Sequence, residues 1–343
     1  MSDPRITVLM PIYNGECHLR AAMDSILSQT FVDYEFLVIN DGSTDSTVEI
    51  VKSYNDPRIR IVHNGSNLGL IRTLNLGLRE ARGDYIVRMD CDDISVRERL
   101  AVQYEFMEAR PEIGICGSWM TKFGEGPQRR VITYAEENEE LRAGLLFEPA
   151  FSHPSVIMRK RVLRDNNLVY DENCQSVEDY ELWTRLQNYT KFANVQRSLL
   201  KYRIHGSQIS SSLSGLQTEK TVCVQRKLLA GFSCEPTANE LMAHRVLGGR
   251  CARVNHVAKD TVVSWIRRLL DMNAKTGLYD EKALKKVMIK QWIRYNRQHF
   301  EKYGMSLKSL LSMVYVKNTG INALRISEFL MKYLYAQIKY RGI

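Results

Sequence analysis

The stretch IVRMDCDDIS, residues 86–95, sets Asp90, Asp92 and Asp93 directly behind a run of strand-forming residues. Three carboxylates this close repel one another, and each is costly to bury without a partner. Asp90 and Asp92 are two apart, so in extended backbone they point to one side while Cys91 points away. Carboxylate oxygens with little nitrogen or sulfur suit a hard cation, Mn2+ or Mg2+, which keeps positions open for diphosphate oxygens. A plain polar turn after a strand is the alternative.

Other stretches carry chemistry of their own. NDGSTDS (40–46) offers the acceptor Asp41 before a glycine turn and a Ser/Thr/Asp helix start; a carboxylate there can take a hydrogen bond from a base N–H, or simply make the turn. SVEDYELWTRL (176–186) puts Glu178 and Asp179 in a first helical turn, with Val177, Leu182 and Leu186 spaced to face a core. The positive end of the helix favours carboxylates there, so helix-start decoration and general-base catalysis both fit. His153 in FSHPSVIMRK either lines an acceptor site or caps a turn. His205 in YRIHGSQIS either reaches a cation or diphosphate or is structural, and Arg72 and Arg88 either neutralise phosphate or sit solvated at the surface. Trp183 is helix core or a sugar-stacking platform.

These residues need elements to hold them. ITVLMPIY (6–13), YEFLVIN (34–40), RIRIVHN (58–64) and DYIVRM (84–89) read as buried strands. Between them CHLRAAMDSILSQ (17–29), STVEIVKSY (46–54) and LIRTLNLGLREA (70–81) carry apolar residues at helical spacing. Helix 96–109 and strand 113–119 continue the alternation, which predicts βαβ units and a parallel sheet covered on both faces. Ligands of such sheets bind beyond the carboxyl ends of the strands. PIYNGE, NDGSTD and DCDD fall at three such ends, and separate polar clusters converging on one crevice are improbable by chance. Beyond 213 the pattern is helical, with Lys and Arg between apolar positions.

In order and spacing, VLMPIYNGECHLRAAMDSILSQTF, FLVINDGSTDST, NLGLIRTLNLGL, GDYIVRMDCDD and SVEDYELWTRL resemble the GT-A-fold, family 2 glycosyltransferases. The likeness is strongest to bacterial enzymes of capsule, exopolysaccharide and lipopolysaccharide assembly, and it runs from about residue 6 to 212. It implies an α/β, Rossmann-like GT-A fold: a mixed, mainly parallel sheet flanked by helices, with a C-terminal helical extension. It implies a metal-dependent, inverting hexosyl transfer from a nucleotide-diphosphate sugar, a UDP-sugar first, to a saccharide or lipid-linked saccharide. On this resemblance Pro11, Tyr13 and Asn14 cradle the nucleotide, Asp41 reads uracil, and Asn67 and Arg72 belong to the donor side. Asp90 lies near the ribose or metal, Asp92 binds the Mn2+ or Mg2+ with His205 in reach, and Asp179 is the catalytic base with Glu178 beside it. His153 and Trp183 fall on the acceptor side. One position departs: many members carry two acids after the second strand, and here the first is Asn40, so uridine rests on Asp41. A catalytically inactive sugar-nucleotide-binding or scaffold relative is the alternative, against which the intact DxDD and ED pairs speak.

Bulk properties bound the rest. With 343 residues, 44% hydrophobic and 25% charged, the chain can build one large or two ordinary globular domains. Seven cysteines without a CxxC pair predict reduced thiols in a cytoplasmic protein. The start, MSDPRITVLMPIYN, shows no secretory pattern, and no apolar run reaches the roughly 18 residues of a membrane span. The net charge of +9 is uneven. Residues 1–212 hold 25 Lys and Arg against 30 Asp and Glu, net −5; residues 213–343 hold 23 against 9, net +14. The expected organisation is therefore a GT-A domain over 1–212, with a nucleotide-binding half (1–110) and an acceptor half (111–212), followed by a basic helical domain over 213–343. The basic helices suit an anionic membrane surface on the inner face of the plasma membrane, or merely pack on the catalytic domain with a solvated face. They lack a nucleic-acid-binding signature. Oligomeric state is not legible.

Overall fold

A computed structural model describes residues 3–125, 130–206, 214–233, 235–249 and 257–303. The chain divides into two compact units, Met1–Ser233 and Cys234–Ile343. The part of the expected helical pattern that falls beyond residue 303 lies outside the described residues.

The first unit opens with strands β1 (Ile6–Ile12) and β2 (Tyr34–Asn40), whose seven residues each are all buried. That is why they read as continuous apolar runs: a parallel strand covered on both faces has no side for water. Helix α1 (Leu19–Leu27) joins them, and α2 (Thr47–Lys52) leads to β3 (Ile59–His63). Helix α3 (Leu70–Glu80) buries Ile71, Leu74, Asn75 and Leu78, one face at three-to-four spacing. It leads to β4 (Tyr85–Arg88). There follow β5 (Ile94–Ser95), α4 (Arg99–Glu108), β6 (Ile113–Gly124), β7 (Arg130–Ile132), α5 (Asn138–Gly144), β8 (Ile157–Arg159), α6 (Lys160–Asp165), α7 (Glu178–Leu186), β9 (Lys191–Ile204) and α8 (Ser214–Ala230).

The strand order is β3-β2-β1-β4-β8-β6-β9-β5, with β7 paired to β6. Strands β1 to β4 pair in parallel, β8 runs antiparallel to β4 and β6, and β6 and β9 pair in parallel. The mixed sheet flanked by helices is the expected class. The chain walks outward from β1 to β3 and then returns to β4 on the other side of β1. That reversal opens a crevice beyond the carboxyl ends of β1 and β4. Helix α8 begins just past residue 212 and belongs to the first unit.

The second unit is helical where described: α9 (Ala238–Leu247), α10 (Lys259–Thr276) and α11 (Glu281–Tyr303). Helix α9 starts on a capping box, Thr237 with Glu240, which satisfies two orphan backbone N–H groups. Trp265 and Leu269 are buried, and Trp265 Nε1 donates to His244 Nδ1 at 3.2 Å.

Candidate active site

Strand register decides which side chains share the crevice. Leu9 pairs with Leu37 on one side and Arg88 on the other, so the three point to one face of the sheet. Counting on by twos brings Pro11, Asp41 and Asp90 to that face. Pro11 belongs there for a second reason. Its position faces β4, whose pairing with β1 ends at Leu9 and Arg88, so its missing N–H forfeits no ladder bond. Asn40 lies on the opposite face, where its amide meets His63 Nδ1 at 3.2 Å and its oxygen accepts from Ser43 N at 3.1 Å. The residue that departs from the two-acid pattern therefore stands across the sheet from Asp41.

The loops after β1 and β2 are laced together. Asn14, with φ of 47°, accepts from Thr44 N at 2.8 Å, and Gly15 N donates to Thr47 Oγ1 at 2.8 Å. Tyr13 stands 48% exposed at this rim, as a stacking surface requires. Asp41 is buried and ties β2 to the start of α3: Oδ1 accepts from Asn64 Nδ2 at 2.7 Å and Leu68 N at 2.9 Å, and Oδ2 from Gly69 N at 2.9 Å. A carboxylate offers about four acceptor positions, so one is left on Oδ2. Gly42 has φ of +74°, and a Cβ there would meet the backbone of Ser66 and Asn67 at 2.7 and 2.8 Å, so only glycine lets the two loops close. Asn67 accepts from Gly69 N at 3.0 Å. Arg72 points to the surface, where it pairs with Glu172 at 2.7 Å.

Asp90, Asp92 and Asp93 come together with ligand oxygens within 4.8 Å of one another. Asp93 is fully buried; Oδ1 accepts from Arg203 N at 2.8 Å, and Oδ2 has no hydrogen-bond partner. Burial, reinforced by Asp90 and Asp92, holds the Asp93 carboxyl well above the usual range. Burial also raises Asp90, against the pull of Arg88. An orphaned buried oxygen within a set of hard oxygen donors fits a divalent cation. His205 does reach this turn: its Nε2 lies 2.9 Å from Asp92 Oδ2. Arg88 is neither exposed nor a surface phosphate contact; it is buried and ion-paired to Asp90.

Glu178 and Asp179 open α7, and Val177, Leu182 and Leu186 are buried beneath them, as the spacing requires. Glu178 is buried, and burial, then Asp179, pushes its carboxyl up to about 7. Asp179 is half-buried and accepts from Tyr180 N at 2.7 Å. His153 Nδ1 lies 3.9 Å from Glu178 Oε1, and its Nε2 meets the Tyr170 hydroxyl at 2.9 Å. Burial holds His153 well below the usual imidazole range. With Glu178 shifted toward its neutral form as well, this contact is not an ion pair. His153 lies beneath the site rather than at its surface. Trp183 is fully buried, edge-on to Phe151 at 5.6 Å between ring centres. The sugar-platform reading of Trp183 is thereby corrected: no ring face is left for a ligand, and the residue is core.

Three neighbours escaped the sequence reading. Arg203 binds Asp93 through its backbone N and the Asp92 carbonyl through Nε at 2.8 Å. It lies two before His205, and that spacing was its only signal. His18, whose ring centre is 5.0 Å from that of His205, sits in a loop 187 residues earlier and gave no signal. Tyr170 is gripped by Asn75 of α3, whose amide bonds its backbone N and O at 2.9 Å each, a contact between distant segments.

Residues 7–166 match the family profile described as glycosyl transferase family 2. An uncharacterized glycosyltransferase of Haemophilus influenzae is 32% identical over 236 residues, 65% of this chain and 73% of that one. The putative glycosyltransferase EpsE of Bacillus subtilis is 34% identical over 211 residues, 59% and 74% of the two chains. Among solved structures, S. aureus TarS 1–349 in complex with UDP-GlcNAc aligns with a TM-score of 0.58 at 18% identity, over 88% of this chain and 93% of that one. Mannosyltransferase PcManGT from Pyrobaculum calidifontis, in complex with GDP-Man and Mn2+, gives 0.54 at 17% identity, over 88% and 89%. At such identity the likeness speaks for the fold.

Proposed function

The chain belongs to glycosyl transferase family 2 and has the GT-A fold, and from that premise we propose that it moves a sugar from a nucleoside-diphosphate donor, a UDP-sugar first, to a hydroxyl of a saccharide or lipid-linked saccharide, with inversion, in bacterial surface-polysaccharide synthesis. The observation that carries this is the gathering of Pro11, Asp41 and Asp90 on one sheet face, with Asp92 and Asp93 clustered beside Asp90. The complexes of structural neighbours, UDP-GlcNAc in one and GDP-Man with Mn2+ in the other, support a nucleoside-diphosphate sugar as the donor class.

In this reading the nucleotide lies across the β1 end, with Tyr13 on the base and the remaining Asp41 acceptor position open to a base N–H. Asn14 and Asn67 shape the loops on either side. The acceptor hydroxyl approaches from the α7 bank, and Asp179 takes its proton as the bond to the anomeric carbon forms and the nucleoside diphosphate departs. Glu178, held toward its neutral form, does not compete for that proton. Asp92 and Asp90 would hold Mn2+ or Mg2+, which when bound supplies charge stabilisation for the departing diphosphate. General-base help accounts for ~10²–10⁴-fold of the rate.

Among the described residues no helix is long and apolar enough to cross a membrane. The +14 of residues 213–343 supports docking on an anionic membrane surface, where lipid-linked acceptors lie. A panel of sugar nucleotides, screened with Mn2+ for hydrolysis and for thermal stabilisation, tests the function. One donor giving both is expected; no response to any nucleotide sugar would overturn the reading.

A further inference from the structure

Ser176 stands two residues before Glu178 with φ of 70°, in the left-handed region that serine rarely adopts. Val177 N donates to Cys174 O at 3.0 Å, so 174–177 is a turn with Ser176 in third place. A positive φ at that place is ordinarily glycine's. Asparagine and aspartate adopt it by bonding their own side chains locally. Ser176 has no such help: its buried Oγ lacks a hydrogen-bond partner among the described residues. The conformation is held instead at the carbonyl, which accepts from Gln217 Nε2 at 3.1 Å, across 41 residues of chain.

The donor comes from a fixed element. Gln217, Thr221 and Gln225 of α8 are spaced four apart and share one face of the helix. Gln225 is buried, and its Nε2 donates to Phe147 O at 3.0 Å. The Tyr180 hydroxyl of α7 donates to Leu145 O, so the same short segment receives both helices. Helix α8 is thus tied to α7 twice, through the 145–147 backbone and directly at the turn that opens α7. It lies beyond residues 7–166, which match the family profile.

We propose that Gln217 is a positioning residue: from α8 it anchors the Ser176 carbonyl and so holds the turn that presents Glu178 and Asp179. This role rests on the function proposed above, in which Asp179 takes the acceptor proton, and it gives Gln217 no contact with substrate. A left-handed serine costs about as much as one hydrogen bond stabilises, so this single donor decides whether the turn stays. Without it Ser176 relaxes toward negative φ, and the first turn of α7 moves with it. Glycine meets no such penalty, so at position 176 it would keep the turn without the anchor.

The test is a double-mutant cycle on the full chain: wild type, Gln217→Met, Ser176→Gly and the two together. Amide hydrogen exchange of α7 is followed by mass spectrometry. Donor hydrolysis, in which water takes the place of the acceptor hydroxyl, is measured with the nucleotide sugar selected by the screen above. Gln217→Met should speed exchange in the first turn of α7 roughly three- to tenfold and leave α4 unchanged. The kcat for hydrolysis should fall by roughly the same factor, with the affinity for UDP unmoved. In the Ser176→Gly background the same change should cost less than about twofold. A role of Gln217 in merely packing α8 would give equal losses in both backgrounds. That result, or unmoved exchange in α7, would overturn the proposal. If Gln217→Met does not fold, Gln217→Ala, which removes the donor and adds no bulk, is read in the same way. The exchange readout requires no turnover. Failure of every donor in the nucleotide-sugar screen would strike the proposed function, and uncoupled substitutions would strike only the role of Gln217.

Discussion

Nε2 of His205 lies 2.9 Å from Oδ2 of Asp92, across 113 residues of chain, and the contact ties the end of β9 to the acidic turn after β4. Arg203 adds two more ties to the same turn. A carboxylate oriented by an imidazole is fixed before a cation arrives. Loss of such a partner typically weakens metal affinity about 10–100-fold. His205→Ala should therefore weaken Mn2+ binding by about that factor while Asp92 remains. Titration of the free Mn2+ resonance signal measures it, and an unchanged affinity would make His205 a surface residue.

Asp41 shows how one side chain serves fold and site together. Asp41→Asn keeps the shape but turns an amide NH2 toward backbone N–H donors at Leu68 or Gly69. The lost bonds should destabilise the first unit by about 1–3 kcal/mol and loosen the loop against the nucleotide. Thermal unfolding and UDP affinity should fall together. A variant of wild-type stability with weaker UDP binding would mean that the carboxylate serves the base alone.

Glu178 sets a pH dependence whose sign follows from its shift. Its carboxyl stands near 7 in the folded chain, against an ordinary 4.5. Between those values the unfolded chain releases this proton while the folded chain keeps it, so stability falls as pH rises through the window and levels off above it. Glu178→Gln should match wild type near pH 4 and exceed it by on the order of 2–3 kcal/mol at pH 8. Denaturant melts at the two pH values check this. A variant less stable than wild type at pH 8 would show that the ionised carboxylate is the form the fold prefers.

The sheet, its crevice and the acid clusters were legible because they depend on local rules. Buried parallel strands must be apolar throughout, and polar residues at their ends have few places to go except the crevice. Alternation by twos put Asp90 and Asp92 on one side, and register added Arg88 and Asp41. Arg88, Trp183 and His153 were harder, because burial of a charged or amphipathic side chain depends on what packs over it from afar. Trp183 meets Phe151, and His153 meets Tyr170, through tertiary contacts that no spacing encodes. His18 and Tyr170 share that origin and were missed for it.

The basic extension yields a separate expectation. With net +14 over residues 213–343, the chain should co-sediment with vesicles rich in anionic lipid and release as salt rises. Screening acts over about 8–10 Å at physiological ionic strength. Equal sedimentation with neutral vesicles, or none with either, would assign these charges to a solvated face.

Proton removal by Asp179 is tested by the turnover of Asp179→Asn set beside its affinity for donor and Mn2+. The substitution removes the carboxylate and leaves volume and helix intact. A loss of about 10²–10⁴-fold in kcat is expected, with Mn2+ and nucleotide affinities within a few-fold of wild type. Near-normal turnover, or turnover lost only because the donor no longer binds, would contradict it.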